Sequence, residues 1–282
     1  EMPGGEKLQK FARAVHSNGY PETPGFFHRR EYSDMSQFGP VGGDRAKVTP
    51  HITPLAARVV VEATCPTRKP ANRRSGDARR YRSTFSYYRG SRDVHVRIEL
   101  LGKRPTYAAE AGYAVFPFAG EDPTVFVHRT AHLLQPGDEL APGVNAAHMA
   151  VGHGVRIESD HAGISFYPLH TPLLSFGQPG AYAYDEDGEY ETGEVYATLF
   201  NNCWGTNFAQ WQSGDFAFDF VCRPSGNDDW DSGLANGGAE VFRPLRAKVV
   251  KFPSEAPSRS IAAIEDKAVE LVALKPADFG PG

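Results

Sequence analysis

Alternation of apolar and polar residues is the main pattern in this chain. The clearest case is the predicted strand from Asp93 to Leu101, in which the apolar residues Val94, Val96, Ile98 and Leu100 alternate with Asp93, His95, Arg97 and Glu99. Phe216 to Cys222 repeats the pattern with phenylalanines. A period of two residues is typical of antiparallel strands that have one buried and one solvated face.

Shorter apolar runs separated by turn residues predict further strands. These are Arg58–Ala63, Tyr113–Phe118, Val125–Arg129, Gly154–Glu158, Ile164–Leu169, Tyr196–Phe200 and Glu240–Val250. The chain holds 29 glycines and 22 prolines, and 12% of its residues are aromatic, which favours many short strands over a helical bundle. We therefore predict a mostly β protein, a large antiparallel β-sandwich with a few short helices.

The first 50 residues have a different pattern. Glu6 to His16 carries apolar residues at helical spacing, which predicts a short amphipathic helix. Ser17 to Pro50 is rich in glycine and proline with scattered aromatic residues, and we expect irregular backbone there. The prediction is an N-terminal helix and irregular connection over residues 1–50, followed by a β-sandwich domain over residues 51–282.

Charge and cysteine content narrow the classes of protein to consider. The formal net charge of −4 gives no case for a nucleic-acid or membrane partner. The basic segment from Arg68 to Arg82 is expected to be a solvated loop or a subunit contact, which leaves an oligomer open. Three widely spaced cysteines without a CxxC pair argue against a structural zinc site. The first residues lack the apolar core of a signal peptide, which slightly favours a cytoplasmic location.

Candidate binding chemistry is concentrated from Tyr196 to Trp211, in the sequence YATLFNNCWGTNFAQW. An apolar run is followed there by amide and hydroxyl groups and by flat aromatic rings. Neutral hydrogen-bonding groups beside rings suit a polyhydroxylated ligand, because the C–H faces of sugars pack on rings. The alternative is a strand end whose asparagines close a turn and whose tryptophans cap a core. The residues alone leave both interpretations open.

The same stretch resembles a segment of proteins related to the family 38 glycoside hydrolases, the α-mannosidase family. NNCWGTNFAQW is similar to the pattern NN-x-WGTNF-x-x-W in their β-sandwich half. Arg92 to Phe118, Ile164 to Gly177 and Val269 to Pro276 resemble three other family segments in the same order. The four stretches together span about two thirds of the chain. The resemblance also makes Val269 to Leu274 a strand, where local propensity alone would permit a helix.

The resemblance implies a galactose-mutarotase-like supersandwich whose catalytic residues lie elsewhere. In family 38 enzymes the nucleophilic aspartate and most or all zinc ligands belong to a barrel and helical region that precedes the sandwich. Nothing in this chain matches those motifs. No cofactor is therefore expected from this chain, zinc is implied only for the full-length family enzyme, and a barrel-type catalytic domain or chain is implied as a partner.

The resemblance also assigns a carbohydrate-binding surface by position. The residues expected to reach the sugar pocket are Asn201, Asn202, Trp204, Asn207 and Trp211. His170 is a further candidate, although the family usually carries Asp at the position of His170 or Thr171. No catalytic residue and no metal ligand is assigned.

Three functions remain to be distinguished. The first is the sandwich portion or subunit of an α-mannosidase-like glycoside hydrolase, inactive without its barrel. The second is a stand-alone carbohydrate-binding module. The third is a sugar epimerase or lyase on a supersandwich, with His95, Glu99 and His170 as its first candidate residues. No GxSxG, P-loop, HExxH or GxGxxG motif points to another enzyme class.

Overall fold

The structure is a computed structural model. It describes residues 44–64, 76, 78–106, 111–118, 120, 122–130, 132–159, 162–179, 188, 190, 192–201, 212–225 and 230–243. The predicted helix from Glu6 to His16 and the predicted strand from Val269 to Leu274 lie outside these residues.

Strands make up most of the described chain. In chain order they are β1 (Asp44–Ile52), β2 (Ala56–Thr64), β3 (Arg80–Tyr88), β4 (Val94–Lys103), β5 (Ala111–Pro117), β6 (Thr124–Arg129), β7 (His132–Leu134), β8 (Met149–Ala150), β9 (Val155–Ser159), β10 (Ala162–Pro168), β11 (Leu173–Phe176), β12 (Glu194–Asn201) and β13 (Gly214–Ser225). The described helices are α1 (Pro136–Glu139) and α2 (Trp230–Phe242), and neither is long and apolar enough to span a membrane.

The strands form two antiparallel sheets. One has nine strands in the order β1-β2-β3-β4-β13-β10-β9-β6-β7, and the other has four in the order β5-β12-β11-β8. Neighbouring strands pair antiparallel throughout both sheets. The prediction of a mostly antiparallel β protein with few short helices is confirmed.

The apolar residues of the alternating strands lie between the two sheets. We call this side of the nine-stranded sheet its inner face. Val96 and Leu100 of β4 are buried there. Phe116 of β5 crosses from the small sheet, and its ring centroid lies 4.6 Å from that of Phe166 and 5.0 Å from that of Phe220. Because aromatic rings bury large apolar areas, these contacts hold the two sheets face to face.

Helix α2 packs on the opposite, outer face of the nine-stranded sheet. Leu234 of the helix is buried against Tyr167 and Val221. Two glycines permit this close approach, since a Cβ on Gly237 would collide with the Tyr167 hydroxyl and one on Gly238 with the His153 side chain. The helix therefore lies directly on the strands.

An arginine links α2 to two strands. Arg223 of β13 donates from Nε and Nη2 to the Asp93 carboxylate at 2.6 and 2.9 Å, and from Nη1 to Glu240 of α2 at 3.0 Å. The Asp93 side chain is only 13% exposed. The hydrogen bonds from Arg223 hold the pKa of Asp93 below its ordinary value. The Arg223–Asp93 ion pair thus fastens the start of β4 to β13, whereas the contact with Glu240 of α2 is more exposed.

Two expectations about local structure at the sheet edge are wrong. Residues 44–50, expected to be irregular, form most of β1 and pair with β2. Pro50 is compatible with this strand because β1 lies at the edge of the described sheet. On the outer side of such a strand, a residue without a backbone N–H loses no hydrogen bond to a neighbouring strand. Of the basic segment, Arg80 and Arg82 lie in β3, so the solvated-loop interpretation is wrong for these two residues, whereas the subunit-contact alternative stays a prediction. Arg82 is held there by Glu62 and Glu99 of the neighbouring strands.

The predicted strand from Glu240 to Val250 is also wrong in its first part. Glu240 to Phe242 are the last residues of α2, and residues 244–250 lie outside the described chain. Val241 and Phe242 pack on the same small cluster as Leu234. The helical spacing of these three residues buries them on one side, and this tertiary contact outweighs the strand preference of Val241 and Phe242.

Asp93→Asn is expected to lower the free energy of unfolding at neutral pH and to lose that effect in acid. The folded-state pKa of Asp93 is depressed below an unfolded value of about 3.9, so the ionised carboxylate stabilises the fold above that value. The stabilisation disappears as the pH falls through the folded-state pKa. Urea unfolding should show a difference of about 2 kcal/mol between wild type and variant that is constant above about pH 5 and shrinks below about pH 4. A difference that stayed constant in acid would contradict this role.

Candidate functional site

The predicted carbohydrate-binding loop joins the two sheets. Its first described flank is Asn201, the last residue of β12, which pairs with Ala111 of β5 in the small sheet. Its second flank leads into β13 of the large sheet, which begins at Gly214. Residues 202–211, here called the candidate loop, lie outside the described chain, and with them the predicted site residues Asn202, Trp204, Asn207 and Trp211.

A buried lysine contacts both flanks of the candidate loop. Lys103 is 3% exposed, and its Nζ donates to the Gln212 carbonyl oxygen at 3.3 Å. The same Nζ lies 4.6 Å from the centre of the Phe200 ring, a distance suited to a cation–π contact. Phe200 directly precedes Asn201. One ammonium group therefore ties the end of β12 to the residues that enter β13.

The Lys103 ammonium is satisfied by further backbone oxygens. Besides Gln212 it donates to the carbonyl oxygens of Gly76 at 3.2 Å and Arg104 at 3.4 Å. A buried charge without such partners would cost several kcal/mol. With three acceptors and a ring face, Lys103 is a firm structural anchor at this end of the sandwich.

A β-bulge explains why a lysine is buried at the end of β4. Leu100 pairs with Phe216, but Lys103 pairs with Gly214, so two residues of β4 oppose only Asp215 of β13. Gly102, one of the two, has a φ of 66°, and its N–H donates to the Asp215 carboxylate at 2.6 Å. The extra residue reverses the inward and outward alternation, and Lys103 consequently turns into the sandwich.

His170 belongs to a separate polar group on the outer face of the nine-stranded sheet. Its Nδ1 accepts a hydrogen bond from the backbone N–H of Asp219 at 3.1 Å and lies 3.6 Å from the Asp219 carboxylate. Arg97 of β4 donates from Nη1 to both oxygens of that carboxylate, at 3.1 and 2.8 Å. The group therefore joins β4, β13 and the segment that follows β10.

This arrangement selects one tautomer of His170. Because Nδ1 accepts from a backbone N–H, the neutral ring carries its proton on Nε2. The side chain is 51% exposed, so a ligand on the outer face could reach it. An imidazole oriented by a fixed partner suits proton donation or hydrogen bonding to a sugar oxygen.

His95 and Glu99, the other two candidate residues of the epimerase hypothesis, contact side chains of the neighbouring strand β3. Glu99 accepts from Arg82 at 3.4 Å. His95 packs edge to face with Tyr88, at a ring-centroid distance of 5.4 Å. As predicted, His95, Arg97 and Glu99 share the polar face of β4, and cross-strand pairing accounts for Glu99 and Arg97.

The structure places the two described site candidates on different sheets. Asn201 ends a strand of the small sheet, whereas His170 lies on the outer face of the large one. Sequence reasoning missed the anchor Lys103 and treated Asp219 only as a polar position in β13. The charged residue Asp219 within FAFDFVC was a usable signal, but its pairing with His170 depends on the tertiary fold.

Possible metal ligands and the thiol of Cys222 are two further features of the part of the chain that the structure describes. It contains no group of three or more His, Cys, Asp or Glu side chains that could hold a metal ion. Cys222 lies in the core between the sheets, and burial raises its thiol pKa to about 12. A thiol in that state stays protonated and unreactive at neutral pH. We therefore assign no reaction step to Cys222.

No protein-family model matches the sequence, and no curated protein matches it. Solved structures do share its fold. A protein of glycosyl hydrolase family 38 from Enterococcus faecalis is similar over 77% of this chain and 27% of its own, with 10% identity and a TM-score of 0.51. An α-mannosidase from Enterococcus faecalis V583 is similar over 71% and 24%, with 12% identity and a TM-score of 0.48.

A third solved structure, a galactose 1-epimerase from Lactobacillus acidophilus NCFM, is similar over 64% of this chain and 66% of its own, with 10% identity and a TM-score of 0.41. The chain spans only about a quarter of the length of the two Enterococcus proteins. At these identities the similarity concerns the fold alone. The part of its fold that this chain shares with the family 38 protein covers 77% of this chain.

Proposed function

We propose that this chain is the β-sandwich part of a glycoside hydrolase resembling the family 38 α-mannosidases, and that the candidate loop forms one wall of its sugar pocket. The catalytic residues would belong to a barrel domain or chain outside these 282 residues. Support comes from the shared fold and from the four motif-like stretches in family order. The zinc of such an enzyme would also lie in the barrel, as the resemblance to family 38 implies.

The observation that carries this proposal is the anchoring of the candidate loop by Lys103. A loop that binds a sugar must hold its rings and amides in place before the ligand arrives, because ordering them on binding weakens affinity. Lys103 contacts Phe200 on one side of the loop and Gln212 on the other. Lys103 therefore holds the described residues on both sides of the candidate loop in fixed positions.

The residue types in the candidate loop fit a neutral sugar. Asparagine side chains offer both donors and acceptors, which match the hydroxyl groups of a carbohydrate. Trp204 and Trp211 offer flat apolar faces with one N–H each. The loop contains no charged residue, so its chemistry favours neutral α-mannosides or related glycosides over sugar phosphates or uronic acids.

A second candidate function is supported by the group around His170. The exposed ring has its tautomer set by Asp219, whose carboxylate is in turn held by Arg97. Such a group could transfer a proton in a sugar epimerase acting on the outer face. This function would need no second domain.

Isothermal titration of the 282-residue chain with methyl α-mannoside is expected to show binding without hydrolysis. Trp204→Ala and Trp211→Ala should each weaken the affinity about tenfold, because losing a ring that packs on the sugar costs on the order of 1 kcal/mol or more. Trp230→Phe is the matched control: Trp230 is the third tryptophan of the chain, it begins α2, and its replacement should leave the affinity unchanged. No sugar binding, or equal affinity in all three variants, would contradict the assignment of sugar binding to the candidate loop.

The epimerase candidate predicts turnover by the chain alone. Polarimetry with freshly dissolved α-galactose or α-glucose should show accelerated mutarotation that His170→Asn reduces about 100-fold or more, because the variant loses its proton-transfer group. His51→Asn is the control, since His51 is exposed on β1 of the same sheet. If the wild-type chain does not accelerate mutarotation, this candidate is ruled out.

A further inference from the structure

Two arginines lie in one row across the outer face of the nine-stranded sheet, apart from the candidate loop. Arg156 of β9 pairs with Ser165 of β10, which in turn pairs with Arg223 of β13. Directly paired residues share a face, so both guanidinium groups belong to the side on which α2 packs. Their hydrogen bonding nevertheless differs.

Arg223 has acceptors for each of its three nitrogen atoms. Nε and Nη2 donate to Asp93, and Nη1 donates to Glu240. Arg223 is therefore a guanidinium whose hydrogen bonds are made within the described protein. The hydrogen bonds of Arg156, two strands away in the same row, can be compared with it.

Arg156 lacks such acceptors along one edge. The residue is 1% exposed, and its Nε donates to the carboxylate of Glu158. Nη1 and Nη2 are buried and have no hydrogen-bond partner among the residues that the structure describes. Each carries two N–H groups, and a buried donor without an acceptor costs on the order of 1–3 kcal/mol. A native protein rarely leaves such groups unsatisfied, which indicates that a further acceptor occupies this edge.

The shape and charge around Arg156 indicate the kind of acceptor. The Nη edge of a guanidinium presents two parallel donors, which match the two oxygens of a carboxylate. Ser165 on one neighbouring strand is 2% exposed, and Phe126 lies on the other, so the edge is shielded from bulk water. Glu158 already supplies one negative charge. A planar monoanion adds less repulsion beside it than a dianion such as phosphate would.

We propose that the Nη edge of Arg156 binds the carboxylate of a small organic acid on the outer face of the nine-stranded sheet. The site is independent of the candidate loop and goes beyond the proposed glycosidase role. Entry requires movement of the elements that cover this face, among which α2 is held by a small cluster of three buried residues, Tyr167, Val221 and Leu234. Its ion pair through Glu240 is exposed, which also favours local opening.

Thermal unfolding of the full chain in sodium acetate, compared with sodium chloride at the same ionic strength, tests this site. Acetate at saturation is expected to raise the Tm of the wild type by about 5 °C, because a ligand that binds only the folded state stabilises it. Arg156→Lys keeps the charge but loses the two parallel Nη donors. The acetate-specific rise, which is the Tm in sodium acetate minus the Tm in sodium chloride, should therefore disappear in this variant. Arg223→Lys is the matched control in the same row: its Tm should fall, but the acetate-specific rise should remain.

Three results would overturn the proposal. An equal acetate effect in Arg156→Lys would identify a general solvent effect of the salt. No acetate-specific rise in the wild type would mean that the Nη groups bind water only. A larger rise with inorganic phosphate than with acetate would exclude the preference for a carboxylate. If Arg156→Lys does not fold, titration of wild type with ¹³C-acetate decides by NMR: saturable line broadening supports the site, and its absence overturns it.

Discussion

The buried ammonium group of Lys103 is the interaction on which the functional end of the sandwich depends. It meets three backbone carbonyls and the face of Phe200, so a charge that would otherwise oppose folding becomes a link between the two sheets. Its position requires the bulge at Gly102, because regular alternation would point the side chain to the outer face. The anchoring of the candidate loop is therefore a consequence of one extra residue in β4.

The two faces of the nine-stranded sheet have different roles. The inner face is apolar and is closed by the small sheet through rings such as Phe116. The outer face carries polar groups beside the small apolar cluster under α2, among them the His170 group and the row that contains Arg156. An antiparallel sheet buries one face and can carry polar groups on the other. Such polar groups can form more than one ligand-binding site on the same scaffold. The fold similarity to the family 38 protein concerns this scaffold and not its chemistry.

Alternation predicted the strands well where one face is apolar and the other polar, as in β4 and β13. It failed for β1, an edge strand whose proline and mixed residues do not alternate between apolar and polar. It also failed for the end of α2, because the helical state there depends on packing against Tyr167. The burial of Lys103 could not be predicted either, because a bulge is specified jointly by both strands that it joins. Asn201, predicted to reach the sugar pocket, is the last residue of β12, and its predicted role stays a prediction. The link of His170 to Asp219 joins positions 49 residues apart, which the sequence pattern does not reveal.

The most direct test of the proposed function is a ¹⁵N NMR titration of the 282-residue chain with methyl α-mannoside, followed through the three tryptophan indole N–H signals. If the candidate loop is the sugar-binding wall, the signals of Trp204 and Trp211 shift on sugar addition and approach saturation, whereas that of Trp230 in α2 stays in place. Loop signals that do not move, with shifts confined to residues around His170, would contradict the account and place the ligand on the outer face instead.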